Sequence, residues 1–336
     1  MDSKTVLVLG ASGGIGGEVA RQLHNAGWRV KALKRGLGAA QETRDGLLWL
    51  RGDALDAVDV ARAAQGCSVI VHAVNPPGYR DWDRLVLPML DNSIAAAQAQ
   101  GATLVLPGTV YNFGPDAFGS PLREDAPQRP VTRKGAIRVE MEARLRQASG
   151  NGARVIVVRA GDFFGPVAGN NWFSQGLIKP GKPVTTISNP AATGVGHQWA
   201  YLPDVARTMV ELLARRDTLP AFASFHMAGH WDATGRQMAE AIQRVAARYG
   251  RDGSEPRIAA LPWWLLNIAG LFVTTFREMR EMRYLWQQPA RMDNARLVAT
   301  LGREPHTPLD EAIETALRGL GCLPPASTGA MPSAAG

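Results

Sequence analysis

Thr5-Val6-Leu7-Val8-Leu9-Gly10-Ala11-Ser12-Gly13-Gly14-Ile15-Gly16 is the stretch whose reading decides the fold. Five apolar or β-branched residues in succession suit a strand buried on both faces. Glycines follow at 10, 13 and 16, and Ile15 to Ala26, with Gly27 just past its end, reads as a helix. A strand, a Gly-x-x-Gly-x-x-Gly turn and a helix within about 30 residues is the arrangement that seats a dinucleotide diphosphate. Gly10 permits the tight turn, Gly13 keeps side chains away from the anion, and Gly16 lets the helix approach the sheet. The helix's first N–H groups then face the phosphates. Gly10, Ser12, Gly13, Gly14, Ile15 and Gly16 are therefore the primary cofactor residues expected.

Reading outward, the second strand (Arg29 to Leu33) runs into Lys34-Arg35. An acidic residue at that strand end would accept from a ribose 2′-OH, whereas an Arg suits a 2′-phosphate. Lys34 and Arg35 thus favour NADP(H) over NAD(H). Asp53 and Ala54 follow a third strand, Leu47 to Leu50, and Asp53 is placed to accept from an adenine amino group. A fourth strand, Ser68 to Val74, ends in His72-Ala73-Val74-Asn75-Pro76-Pro77. Ala73, Val74 and Asn75 would let the backbone approach the cofactor, and His72 reads as a packed core histidine.

A helix from Trp82 to Gln100, a strand from Thr103 to Leu106, a helix from Arg138 to Ala148 and a strand from Ala153 to Val158 continue the alternation. Apolar strands separated by helices define an α/β fold, a Rossmann doubly wound parallel sheet. Residues 1–160 form this expected NAD(P)-binding domain, joined by a returning strand and helix near 195–230. Residues 161–322 are expected to form mainly a smaller C-terminal substrate-binding lobe, and 323–336, rich in Pro, Ala, Ser and Gly, a disordered tail. Residues 165–176 and 179–196 read as loops. From Thr234 onward the chain reads as helical up to Leu320.

Composition narrows the function classes. The 336 residues are 46% hydrophobic, enough for a sizeable core, and the formal charge is +7. The cations are scattered, with no Lys/Arg block interleaved with aromatics, so nucleic acid is not the expected partner. An anionic ligand such as a phosphorylated cofactor suits the charge. Cys67 and Cys322 offer neither a disulfide framework nor a metal spacing. No metal is expected, and a reducing cytoplasmic location is the simplest reading. Met1 to Lys4 run directly into a strand without a signal-peptide pattern. The most apolar stretch, Leu261 to Phe276, falls short of the roughly 20 residues that span a bilayer. It reads as a core or interface helix, or alternatively as one lying on a membrane surface through Trp263 and Trp264.

From residue 4 to residue 320 the sequence resembles the extended short-chain dehydrogenases/reductases, the NAD-dependent epimerase/dehydratase family. The resemblance rests on Gly10–Gly13–Gly16, on Gly52-Asp53, on Thr109-Val-Tyr-Asn-Phe113-Gly114-Pro115 and on Arg159-Ala-Gly-Asp-Phe-Phe164-Gly165-Pro166. It extends to Gln198-Trp-Ala-Tyr201-Leu-Pro-Asp204-Val205-Ala206 and to Leu301-Gly302-Arg-Glu-Pro305-His-Thr307-Pro308-Leu309. The family's reactive pair is Tyr-x-x-x-Lys with a Glu four residues on, and this chain departs from it. Aligned on Glu142, the segment Pro130 to Glu142 places Lys134 at the Tyr position and Arg138 at the Lys position. Aligned on Glu140, it places Thr132 and Ala136 there. The first frame is preferred because Glu142-Ala-Arg-Leu145 continues a helix.

In the first frame Arg138 could bond ribose hydroxyls but cannot usefully titrate. Lys134 could act as the acid if burial or Arg138 depressed its pKa. Tyr111 is a second candidate acid, and Thr109 could orient a substrate carbonyl. Substrate-side candidates are Asn170, Asn171, Trp172 and His197, amides and imidazole among aromatics that suit a hydroxylated or aromatic small molecule. The ligand-facing loops are expected at 75–82, 113–123, 162–175 and 194–199. The resemblance implies an NAD(P)-dependent oxidoreductase acting on a small carbonyl, alcohol or sugar-like substrate, possible as a homodimer. A non-catalytic NAD(P) sensor and a sugar-nucleotide epimerase with a substitute acid remain alternatives.

Overall fold

The computed structural model describes residues 4–76, 81–167, 169, 171–250, 255–270 and 274–325. The strands β1 (Thr5–Leu9), β2 (Arg29–Lys34), β4 (Leu47–Arg51), β5 (Val69–His72), β6 (Thr103–Thr109), β7 (Arg154–Ala160) and β11 (Phe222–His226) form a parallel sheet. Its order is β11-β7-β6-β5-β1-β2-β4, with β3 (Gln41–Arg44) antiparallel on the β4 edge. Strand order reverses between β1 and β5, which opens a crevice beyond their carboxyl ends.

The strands carry apolar residues on both faces because both faces are covered. Val6 and Val8 of β1 join one core with α1 (Gly14–Asn25), α5 (Leu202–Leu213) and α9 (Ala295–Leu301). Leu7 and Leu9 join the opposite core with α2 (Ala57–Ala64), α3 (Trp82–Gln100) and α4 (Arg133–Gly150). Successive side chains of a strand point to opposite faces, so one unbroken apolar run feeds both layers. A third core fills the C-terminal lobe, where Phe164, Phe173, Trp199 and Trp286 meet α6 (Gln237–Ala247) and α10 (Leu309–Gly319).

The returning strand of the main sheet, β11, lies inside the expected 195–230 stretch. Several elements depart from the sequence reading. Strand β10 (His197–Tyr201) lies in a small sheet between β8 (Asp162–Phe164) and β12 (His230–Asp232). The expected loop at 179–196 contains β9 (Thr186–Asn189), which pairs with β13 (Arg257–Ala260) inside the stretch read as helical. Residues Phe173–Leu177 wind into a π-helix turn. The β3–β4 hairpin was missed although Asp45-Gly46 marks it. Both residues have positive φ, 53° and 74°, the requirement of a two-residue type I′ turn. Helix α4 begins at Arg133 rather than Arg138 because Thr132 caps it, its hydroxyl accepting from Gly135 N at 3.0 Å. Asn170 and residues 326–336 of the expected tail lie outside the described residues.

Candidate active site

A cleft of about 640 Å³ runs along the carboxyl edge of the parallel sheet, within the size range of ligand pockets. In sheet order its lining passes from Asp53 and Ala54 after β4, through Lys34 and Arg35 at β2 and the turn after β1. It continues past Ala73, Val74 and Asn75 to Thr109, Tyr111 and Asp162 beyond β6 and β7. Lys134 and Arg138 of α4 line it, and Asn171, Trp172 and Gln175 form its far wall with Met279 and Met282. Met279 comes from α8 (Thr274–Glu281), which follows α7 (Trp263–Ala269).

The turn after β1 fits a diphosphate. Gly10 has φ +90°, and a Cβ there would lie 2.4 Å from the carbonyl oxygen of Ala73. A Cβ on Gly16 would lie 2.3 Å from the carbonyl oxygen of Gly10. Gly16 therefore sits against the turn, and it does not line the cleft. Gly13 is different. A Cβ there would meet only the Gly10 carbonyl oxygen at 3.3 Å, so Gly13 leaves open the space a ligand would use. Gly13 flanks α1 with no side-chain cap, which leaves the first N–H groups of the helix to an anion.

At the adenosine end Arg35 Nη1 stands 3.8 Å from the Asp53 carboxylate, both side chains being substantially exposed. Lys34 Nζ lies 5.6 Å from the ring centre of Trp49. Asp53 Oδ1 accepts from Leu55 N at 3.0 Å, and Asp53 N donates to Asp59 at 3.0 Å. The turn that carries Asp53 is thus fixed by its own hydrogen bonds.

The chemistry-bearing end is built by close backbone contacts. Gly135 lets α4 lie against the turn after β6, since a Cβ there would fall 2.3 Å from the Tyr111 carbonyl oxygen. That approach brings Lys134, 3% exposed, into the cleft wall beside Tyr111. The Glu281 carboxylate accepts from Arg133 N at 2.6 Å and Lys134 N at 3.4 Å, so a residue of α8 supports the start of α4. Arg138 lies over Trp82, 5.2 Å from the ring centre, and the Trp82 indole donates to Asn75 Oδ1 at 3.0 Å.

Structure separates the two alignment frames. Glu142 is buried and bound to Arg159, whereas Glu140 is exposed and binds Arg144. Thr132 is a helix cap and Ala136 is exposed. Only the Glu142 frame puts its two partners, Lys134 and Arg138, on the cleft.

Behind the wall, Tyr111 donates its hydroxyl to Asp162 Oδ1 at 2.8 Å, and His197 Nε2 meets Asp162 Oδ2 at 2.9 Å. Gly161 permits this. A Cβ there would lie 2.2 Å from the Gln198 carbonyl oxygen, so β8 and β10 can run side by side. His197, expected to touch substrate, is buried and does not line the cleft; Asp162 stands in front of it. Among the described residues the cleft takes nothing from 113–123 or 194–199. Asn171 lines it, but its Oδ1 already accepts from Ser174 N at 2.8 Å.

His72 lines the cleft from the end of β5. Its Nδ1 meets Ser93 Oγ at 2.8 Å, and burial, aided by the charge of Arg138, lowers its pKa to about 3. Asp204, His230 and His306 bring ligating atoms within 4.8 Å of one another. The Asp204 carboxylate there is committed to Arg207 and to the backbone and side chain of Thr307. That commitment makes it a tie between α5 and the segment before α10.

The profile of a family described as NAD(P)H-binding matches residues 10–161. Residues 10–161, a little under half of the chain, are thus similar to that family. Among solved structures, the Bordetella bronchiseptica enzyme WbmH in complex with NAD+ superimposes with a TM-score of 0.66 at 19% identity, covering 94% of this chain and 99% of its own. UDP-glucose 4-epimerase from Brucella ovis in complex with NAD gives 0.70 at 16% identity, covering 94% and 98%. UDP-N-acetylglucosamine 4-epimerase from Bacillus cereus gives 0.68 at 14%, covering 92% and 96%. No curated protein matches the sequence. Over more than nine tenths of its length the chain thus shares the fold of these solved structures. Among the described residues no helix is long and apolar enough to cross a membrane.

Sequence reasoning placed a ligand-facing loop at 162–175 without singling out Asp162 or Gln175, and it passed over Met279 and Met282. Asp162 stands inside the quoted Arg159–Pro166 motif, so a signal existed. Met279 and Met282 carry no motif and reach the cleft only through the folding of the last third of the chain.

Proposed function

We propose that the chain is an NADP(H)-dependent oxidoreductase, built on the epimerase fold, that acts on a small carbonyl, alcohol or sugar-like substrate. The observation that carries this reading is the continuity of one cleft. It joins a bare glycine turn and two cations at one end to a hydroxyl, a phenol and an amine at the other. When bound, the nicotinamide dinucleotide supplies a hydride acceptor or donor. The residues present fit it. The glycine turn accepts a diphosphate without a clash, and Lys34 and Arg35 suit a 2′-phosphate. Thr109 and Lys134 supply donors that hold a substrate oxygen and disperse charge developing on it. Met279, Met282 and Trp172 give an apolar wall, with Asn171 and Gln175 as polar fixing points.

Titration with NADPH and NADH, followed by nicotinamide fluorescence, tests the cofactor half, with tighter NADPH binding expected. Consumption of NADPH with a panel of aldehydes, ketones and keto-sugars tests the catalytic half, and Lys134→Ala should slow it. Binding without turnover of any compound would point to the sensor reading, which the replacement of the family's Tyr by Lys134 favours. Interconversion of sugar isomers without net consumption of cofactor would point to an epimerase.

A further inference from the structure

We infer that Tyr111, Asp162 and His197 form a proton relay in which the Tyr111 phenol exchanges a proton with the substrate oxygen and Asp162 takes up or returns it. This rests on the oxidoreductase reading, and it supplies the acid that the altered Tyr-x-x-x-Lys segment lacks.

Three observations assemble the relay. Tyr111 and Asp162 both line the cleft, and the phenol donates its proton to Asp162 Oδ1 at 2.8 Å. On the other side, Asp162 Oδ2 meets His197 Nε2 at 2.9 Å, and His197 Nδ1 meets the Leu285 carbonyl oxygen at 3.3 Å. A carbonyl oxygen can only accept, so the contact with Leu285 directs the Nδ1 hydrogen to it and turns Nε2 towards Asp162. Finally, the imidazole lies flat on Trp286, with ring centres 3.6 Å apart and planes at 9°, and edge-on to Trp199 at 5.0 Å. His197, Asp162, Trp199 and Trp286 are all buried. The carboxylate is thereby held in one orientation and screened from water on the side away from the cleft.

The step balances when oxidised nicotinamide dinucleotide is the hydride acceptor. For an alcohol substrate, a bound dinucleotide would take up the hydride of the carbinol C–H. The carbinol O–H proton moves to the Tyr111 oxygen, and the proton Tyr111 held moves to Asp162 Oδ1. The carbonyl forms and the phenol stays neutral throughout. Reduction runs the same transfers backwards. Tyr111 is the catalytic residue in this scheme, while Asp162 and His197 act through it.

Two measurements on the full chain test the relay. Proton NMR of the ¹⁵N-histidine-labelled protein should show a far-downfield proton at the His197–Asp162 contact. It should disappear in Asp162→Asn, a nearly isosteric change. This arm needs neither cofactor nor substrate. In the carbonyl panel Tyr111→Phe should reduce turnover about 10²- to 10⁴-fold, the usual worth of positioned proton transfer, while NADPH affinity stays unchanged. Absence of the downfield proton, or Tyr111→Phe turning over within about threefold of the parent, overturns the relay. Loss of NADPH binding in the parent protein instead overturns the oxidoreductase reading, and the NMR signal would survive that result.

Discussion

Arg159 of β7 and Glu142 of α4 form a buried two-pronged ion pair, Nε to Oε1 at 2.9 Å and Nη2 to Oε2 at 2.5 Å. Asn112 and Gln128 each donate to the same carboxylate at 2.9 Å, and the remaining Arg159 nitrogen meets His226 Nε2 at 2.7 Å. Burial opposes ionisation of Glu142, but the hydrogen bonds and charge of Arg159 outweigh it and hold the carboxyl below its ordinary value. The pair ties the helix bearing Lys134 and Arg138 to the sheet edge bearing Asp162. Glu142→Gln removes one charge and leaves Arg159 buried, a change that should cost about 3–5 kcal/mol in urea unfolding. Glu140→Gln, on the exposed side of the same helix, should change stability by less than about 0.5 kcal/mol.

The glycine turn separates folding from binding. Gly13→Ala should fold with a stability loss below about 1 kcal/mol, because its added methyl meets only one oxygen, at 3.3 Å. That methyl occupies ligand space, so NADPH affinity should fall by at least about 10-fold, equivalent to 1.4 kcal/mol. Gly16→Ala should do the reverse work. Its methyl would lie 2.3 Å from a backbone oxygen, so the melting temperature should drop before any binding measurement is made. Equal NADPH affinity in Gly13→Ala and the parent would contradict the placement of the diphosphate.

Cofactor preference should reside in two side chains. Replacing Lys34 and Arg35 together by Ser removes the cations proposed to bind a 2′-phosphate. NADPH affinity should fall about 10- to 100-fold, the worth of one or two charge-assisted hydrogen bonds, with NADH affinity nearly unchanged. A parallel loss for both cofactors would show that the pair serves the fold or the shared diphosphate instead.

Acid should unfold the chain through its buried histidines. Burial lowers His72 to about 3 and His226 and His230 to about 4, with neighbouring Arg138, Arg159 and His306 adding to the respective shifts. Above about pH 6.5 these rings are neutral folded or unfolded. As pH falls below that, only the unfolded chain takes up the protons, so stability declines progressively towards pH 4. Each histidine adds up to about 1.4 kcal/mol per pH unit to the slope. Urea midpoints from pH 7 to pH 4.5 should trace this decline, and His72→Gln should flatten it. A midpoint independent of pH over that window would contradict neutral burial.

The sheet was legible because its signals are local. Thr5 to Leu9 and the glycines at 10, 13 and 16 state strand, turn and helix in adjacent residues. The helix read from Trp82 to Gln100 has those same ends in the structure. Thr132 and Asp45-Gly46 carried equally local signals, a cap and a turn, that went unread. The lobe was less legible for a physical reason. Strands β9 and β13 are four residues each and pair across about 70 residues of chain, a long-range choice no window of sequence displays. In the cleft, motif residues such as Thr109 and Lys134 were found by position. His197 was placed one layer too far forward, because residue type marked it as chemically able but not as standing behind Asp162.

Glu281 has a consequence for how this protein could change its substrate. The carboxylate that caps the helix of Lys134 sits two residues from Met279 and next to Met282, the side chains that shape the far end of the cleft. In the proposed function, recognition and reactivity would therefore share one support. Drift in the methionines can retune the ligand freely, whereas loss of the acidic group between them would unsettle the reactive helix at the same stroke.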